Sequence, residues 1–217
     1  FERATLSHVA AEQVCLEDAL LERATLEQAT LTEADLGRVD LSGATLTEAD
    51  LSATTLSGAT LTGADLSGSD LTGAALPETA VAEADMTGAT LADVDLAGAD
   101  LAGAALPETN LEGATLAETD LTEADLTDAT LAGATLRDAA LPRATLAAAT
   151  LDDTDLRGVD LSEATLTAAT LREADASEAT LPDADLSETT ARDAVFAGVA
   201  ATGTTFAGAD VTDATFD

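Results

Sequence analysis

Apolar residues recur at every fifth position, from Phe1 and Leu6 to Val211 and Phe216, and the register holds without a slip along the chain. Of the 44 positions in that register 33 are Leu; the others are Phe, Val, Met or Ala. The residue two places earlier is always small: Ala in most units, otherwise Val, Thr or Ser. Units such as Ala49 to Ala53 and Ala124 to Asp128 set out the rule: a small residue, Asp or Thr, Leu, then two polar or turn residues. A spacing of five fits neither a helix, with about 3.6 residues per turn, nor a flat strand, with about 2 per repeat. The chain must therefore turn once per unit. In a short extended piece followed by a corner, Leu and the small residue share the inward face and the intervening Asp or Thr faces out. Fourteen of the 15 glycines lie two residues after the central position, as at Gly43, Gly63 and Gly103, where a corner accommodates positive φ. Pro77, Pro107, Pro142 and Pro182 each follow a central Leu directly, where a fixed φ suits the first corner residue.

These units resemble those of the pentapeptide-repeat proteins, which read Ala, Asp or Asn, Leu and two variable positions, and the match covers residues 1–217. Repetition alone implies a solenoid. The resemblance implies an all-β fold, a right-handed quadrilateral parallel β-helix with four pentapeptides per turn. On that period the chain makes about eleven turns, and at roughly 4.8 Å between stacked strands it spans about 50 Å. Each buried Leu contributes about 1.5–3 kcal/mol, so Leu ladders hold such a rod together without metal or disulfide. Residues 1–217 are expected to form a single uninterrupted solenoid belonging to a longer chain, because the one Met is Met86 and no capping helix is visible.

A 20-residue turn places Phe196 and Phe216 on one side and Phe206 on the opposite side, with Ala176, Ala191 and Ala201 leaving room nearby. Outward positions are apolar near both ends, at Ala10, Cys15, Leu20, Val195 and Ala200. Two explanations stay open: drift of the repeat, or contact of the solenoid ends with a protein partner or another copy.

Charge changes the picture most. The chain carries 42 acidic residues and 8 Arg, has no Lys, and has a formal net charge of −34. From Val39 to Leu136 there are 18 acidic residues and no basic one. Over the whole rod this is about one net charge per 1.5 Å, close to the roughly 1.7 Å of duplex DNA. DNA mimicry is one explanation, since some members of the resembled family protect type II topoisomerases by presenting a DNA-like acidic rod. Salt adaptation is the other, and the absence of Lys beside eight Arg favours a halophilic protein. The unbroken register also leaves no projecting loop, and no helical dimerisation tail is visible.

The same composition narrows the chemistry. Acidic charge repels nucleic-acid phosphates, and all four Phe are inward with no Trp or Tyr, so direct nucleic-acid binding is not expected. His8 and Cys15 are single residues in units half a turn apart, which gives no catalytic dyad, no His/Cys metal cluster and no internal disulfide. Glycines fall singly at corners, so no phosphate-binding loop or cofactor site is expected. No apolar run is long enough to span a bilayer and no signal peptide is visible. Thr-Leu-Thr triplets at 30–32, 45–47, 60–62 and 165–167 resemble ice-binding pairs but form no regular array. Asp50 and Asp70, Asp65 and Asp85, Asp100 and Asp120, and Asp155 and Asp175 should stack on adjacent turns, yet each wall offers too few oxygens for calcium. Loosely bound cations are expected instead.

The residues thus point to a noncatalytic, rigid, acidic scaffold or protein-interaction module, at a cell surface or within a larger assembly. A DNA-mimicking protein that binds gyrase or another topoisomerase ranks second, and a subunit stacking end to end into a filament third.

Overall fold

The computed structural model describes residues 1–217 and contains no helix. One parallel β-bridge forms per pentapeptide, always between residues 20 apart, in a ladder running from Thr5 with Thr25 to Val195 with Thr215. Four units therefore make one coil, and each coil pairs with the next. The outward residues define four walls: the first carries Thr5, Thr25 and Thr45; the second Ala10, Thr30 and Asp50; the third Cys15, Asp35 and Thr55; the fourth Leu20, Asp40 and Thr60.

The core follows directly from the two inward positions. Leu21 through Phe196 belong to one cluster of 64 buried hydrophobic residues, in which Leu columns alternate with Ala, Val and Met. Seven inward hydroxyls, Thr54, Ser69, Thr79, Thr109, Thr119, Thr154 and Thr189, are also buried. Each donates to a main-chain carbonyl: Thr54 to Leu51 O at 2.7 Å and Thr79 to Leu56 O in the preceding coil at 2.9 Å are two examples. A buried hydroxyl satisfied in this way avoids its desolvation penalty. Near the last coils Phe196 stacks on Phe216 at 4.9 Å, and Phe206 meets both edge-on at 6.1 and 6.2 Å.

Nearly every corner has the same build. In the unit Leu41 to Thr45, Ala44 N–H donates to Leu41 O at 2.9 Å, closing a four-residue turn with Ser42 and Gly43 at its centre. The second central residue has positive φ in all units, from Arg3 to Asp213, whereas the first does not, which makes this a type II turn. The sequence reading linked positive φ to glycine; the structure requires it at every corner, and 29 of these residues are not glycine. Most of the 29 are Asp or Glu.

Hydrogen bonds between coils account for the rest of the main chain. Leu41 N–H reaches Thr60 O at 2.8 Å, Gly43 N–H reaches Thr62 O at 3.0 Å, and Thr45 N–H reaches Ala24 O at 2.9 Å. With the turn bond, four of the five N–H groups are satisfied by backbone. The fifth, at Ser42, donates to Asp40 Oδ1 at 3.0 Å.

Candidate interaction surface

That fifth bond gives the outward aspartates a structural purpose which periodicity alone did not reveal. All fifteen outward Asp residues and Asn110 accept the N–H of the residue two places on. Where Ser or Thr occupies that place, its hydroxyl often donates to the same oxygen, as Ser52 does to Asp50 and Thr122 to Asp120, both at 2.6 Å. Proline obeys the complementary rule. Pro77, Pro107, Pro142 and Pro182 have no N–H to offer, and the outward residues before them are Ala75, Ala105, Ala140 and Thr180, never Asp. The sequence contained this signal as a two-residue correlation between Asp and the absence of Pro.

Asn110 shows that a neutral amide can do the same work, since its Oδ1 accepts Glu112 N–H at 3.0 Å. At wall positions without an arginine partner the turn needs an acceptor, and a charge is not required for it. The remaining 27 acidic residues lie at corners, so no carboxylate points into the core. Negative charge is thus a property of the surface beyond what folding demands.

The stacked pairs fall where the period puts them: Asp50 bridges Asp70, Asp65 bridges Asp85, Asp100 bridges Asp120 and Asp155 bridges Asp175. A column of Thr130, Thr150, Thr170 and Thr190 also runs up the second wall. This column runs along the axis, whereas the Thr-Leu-Thr triplets run along the chain.

Arginines sit at corners, and several reach carboxylates of neighbouring coils. Arg38 donates to Asp18 at 2.7 and 2.8 Å and to Glu17 at 2.9 Å, Arg143 to Glu123 at 2.9 and 2.6 Å, and Arg172 to Asp152 at 3.0 Å. Arg143 thus pairs with the coil below it rather than bridging to Glu163. Arg157 and Arg137 converge on Asp155, whose carboxyl is lowered to about 2 chiefly by the Arg157 hydrogen bond, against an opposing effect of burial. Asp210 is also lowered to about 2, by the Thr212 hydroxyl first and Arg192 second. Hydroxyls from Ser42 and Ser52 lower Asp40 and Asp50.

His8 occupies a corner with φ of 57°, and exposed Cys15 faces outward, bridged to Asp35. The Cys15 thiol, the Glu17 carboxylate and the Asp35 carboxylate have atoms within 4.8 Å of one another; His8 is not among them. All three are exposed, Asp35 Oδ1 already accepts Gly37 N–H, and Glu17 Oε1 accepts from Arg38. At the first coil, inward residues including Phe1, Leu6, Val9 and Leu16 surround an apolar hollow of about 150 Å³, and Leu20 is exposed on the fourth wall. No helix is long and apolar enough to cross a membrane.

The sequence profile described as pentapeptide repeats (8 copies) matches the chain in overlapping segments that together run over 13–73 and 84–217. Among solved structures the chain is similar to HetL, a pentapeptide repeat protein involved in heterocyst differentiation regulation from the cyanobacterium Nostoc sp. strain PCC 7120. Identity is 31% over 95% of this chain and 89% of HetL, with a TM-score of 0.59. Full-length QnrB1, a plasmid-mediated fluoroquinolone resistance protein, shares the fold with a TM-score of 0.70 at 16% identity, over 82% of this chain and 91% of QnrB1. No curated protein matches the chain.

Proposed function

The chain belongs to the pentapeptide repeat family, whose right-handed quadrilateral β-helices are noncatalytic, and from that premise we propose that it is a noncatalytic protein-interaction scaffold. It acts as one rigid acidic solenoid, of about eleven turns and about 50 Å. The observation that carries this reading is the use of Asp at fifteen wall positions where Asn110 performs the same structural task. Charge retained where the fold does not need it is charge with a use outside the fold, in solubility, salt tolerance or recognition. The similarity to HetL, a pentapeptide repeat protein involved in regulation, supports a regulatory rather than a catalytic role.

The test is complementation of a deletion strain. A His8→Ala/Cys15→Ala variant should restore function fully, because neither side chain performs chemistry. A variant with the wall aspartates between Val39 and Leu136 changed to Asn should fold but fail. Failure of the first variant together with success of the second would overturn the scaffold reading.

A second reading, a DNA-mimicking ligand of a topoisomerase, is favoured by one observation: the span from Val39 to Leu136 presents 18 acidic residues and no basic one. That span covers about five coils, or roughly 24 Å, giving about one charge per 1.3 Å against roughly 1.7 Å in duplex DNA. Inhibition or protection of gyrase by the purified chain at moderate salt is its test.

A further inference from the structure

One wall of the rod departs from the others in charge. Between Asp70 and Asp210 the second wall presents Thr90, Asn110, Thr130, Thr150, Thr170 and Thr190, six outward positions in succession without a charge. No other wall has more than three in succession. The chain's one Asn stands in this run, where its Oδ1 keeps the turn bond from Glu112 N–H at 3.0 Å without a carboxylate's charge. Thr170 Oγ1, in the same run, is the one shielded side-chain oxygen of the chain that has no hydrogen-bond partner.

A rod of net charge −34 repels a second copy of itself along most of its surface, so a neutral wall is where two copies can meet. Contact of one patch with the same patch on another copy follows a two-fold axis. An axis lying across this wall, perpendicular to the rod and midway between Thr130 and Thr150, sets two rods antiparallel and face to face. It places Thr130 opposite Thr150, Asn110 opposite Thr170 and Thr90 opposite Thr190. The rims then match. On the rim before the wall Glu108 meets Ala168, Asp128 meets Ala148 and Glu188 meets Gly88. On the rim after it Glu112 meets Arg172, Asp152 meets Ala132 and Arg192 meets Ala92. No like charges oppose one another on either rim. Moving the axis by half a coil or a whole one, in either direction, sets Glu108 or Asp128 against a carboxylate, so charge selects this alignment among its neighbours.

We propose that the second wall from Thr90 to Thr190 is the contact face of an antiparallel homodimer. Arg172, which holds Asp152 of its own chain at 3.0 Å, there also meets Glu112, which has no ion pair within the chain. Asp70 and Asp210 fall opposite each other at the two limits of the run and end the contact. Six coils make a face about 29 Å long and, with its rims, about 15 Å wide, so each copy buries roughly 400 Å² against the roughly 800 Å² of a standard interface. The dimer is therefore weak and reversible. High salt strengthens it, by screening the acidic walls that surround the contact. The proposal adds a second copy to the partners of the interaction scaffold and rests on that reading.

The experiment is sedimentation velocity of the full chain in about 0.1 M and about 1 M KCl, at concentrations up to ~1 mM. A monomer–dimer equilibrium is expected, shifted toward dimer at the higher salt. Thr130→Asp/Thr150→Asp should abolish it, because each new carboxylate faces the other across the axis. The variant should keep the wild-type circular dichroism spectrum, since Asp already stands at fifteen wall positions. Thr115→Asp/Thr135→Asp adds the same charge to the third wall and should leave the dimer intact. Glu112→Arg should weaken the dimer by opposing Arg172, and Glu112→Arg/Arg172→Glu should restore it. A chain that stays monomeric at both salts, dimerisation that survives Thr130→Asp/Thr150→Asp, or equal loss in the third-wall variant would overturn the proposal. Failure of the charge exchange to restore the dimer would overturn the antiparallel alignment. Association is read on purified chain and complementation in a deletion strain, so failure of the dimer is distinguishable from failure of the scaffold reading.

Discussion

At Asp50, Oδ1 takes two hydrogen bonds from Ser52, the backbone N–H at 3.0 Å and the hydroxyl at 2.6 Å. Such a bond is local and geometric, so it depends on an acceptor of the right reach rather than on charge. Asp100 holds the N–H of Ala102 in the same manner at 3.1 Å. Asp100→Asn should therefore leave stability nearly unchanged or raise it, by removing repulsion from Asp120. Asp100→Ala, which exposure alone suggests is harmless, should cost about 0.5–1.5 kcal/mol in reversible denaturation. Corners give a second residue-scale prediction. A left-handed conformation costs an L-residue roughly 1–2 kcal/mol, and glycine's extra freedom in the unfolded chain costs about 0.5–1 kcal/mol. Ala148→Gly should thus stabilise by up to about 1 kcal/mol, and Gly103→Ala should destabilise by a similar amount. The pH dependence is set by groups such as Asp155. Its folded value of about 2 lies below the ordinary aspartate value, so its pairing stabilises above about pH 4 and is lost as pH falls toward 2. A carboxyl NMR titration should find its midpoint near 2, and Arg157→Gln should raise it.

One coil is the smallest element that closes its own perimeter, and it is stable only against its neighbours. Leu101 is completely buried, in the column between Val81 and Leu121 set by the 20-residue repeat. Leu101→Asp places a carboxylate where water cannot reach it and should cost several kcal/mol or open the solenoid locally, visible as accelerated amide exchange in the adjoining coils. An unchanged melting profile would rule out the inward assignment. This level of organisation was legible from hydropathy, because an inward Leu every five residues leaves few other arrangements. The corner chemistry was not. Twenty-nine non-glycine residues, among them Glu83, Arg143 and Ala148, occupy a conformation that the sequence reading associated with glycine. The Asp cap escaped for a related reason: a bond from residue i to the N–H of residue i+2 leaves no trace in apolar periodicity, and Asp read as surface charge fits the same pattern.

Across the whole rod the question is why Asp stands at fifteen places where Asn would hold the turn. Two like charges about 4.8 Å apart repel by about 0.9 kcal/mol in bulk water, and such contacts recur on all four walls. At 0.1 M salt the Debye length is about 10 Å and leaves this repulsion largely intact; at 1 M it is about 3 Å and removes most of it. A rod adapted to high salt should therefore gain stability steeply toward molar KCl. Complete absence of Lys fits that role, because DNA mimicry needs negative charge but gives no reason to exclude Lys while keeping eight Arg. Changing Asp65, Asp70, Asp85, Asp100 and Asp120 to Asn should raise the melting temperature at low salt and flatten its salt dependence, since the turn bonds survive while the stacked repulsions vanish. The deciding measurement is melting temperature and gyrase supercoiling activity over one KCl series, for the wild-type chain and this variant. Melting that rises with salt, with gyrase unaffected, supports adaptation. Salt-insensitive melting with submicromolar gyrase inhibition that the Asn variant loses would put DNA mimicry ahead, because charge would then be acting on a partner rather than on the rod itself.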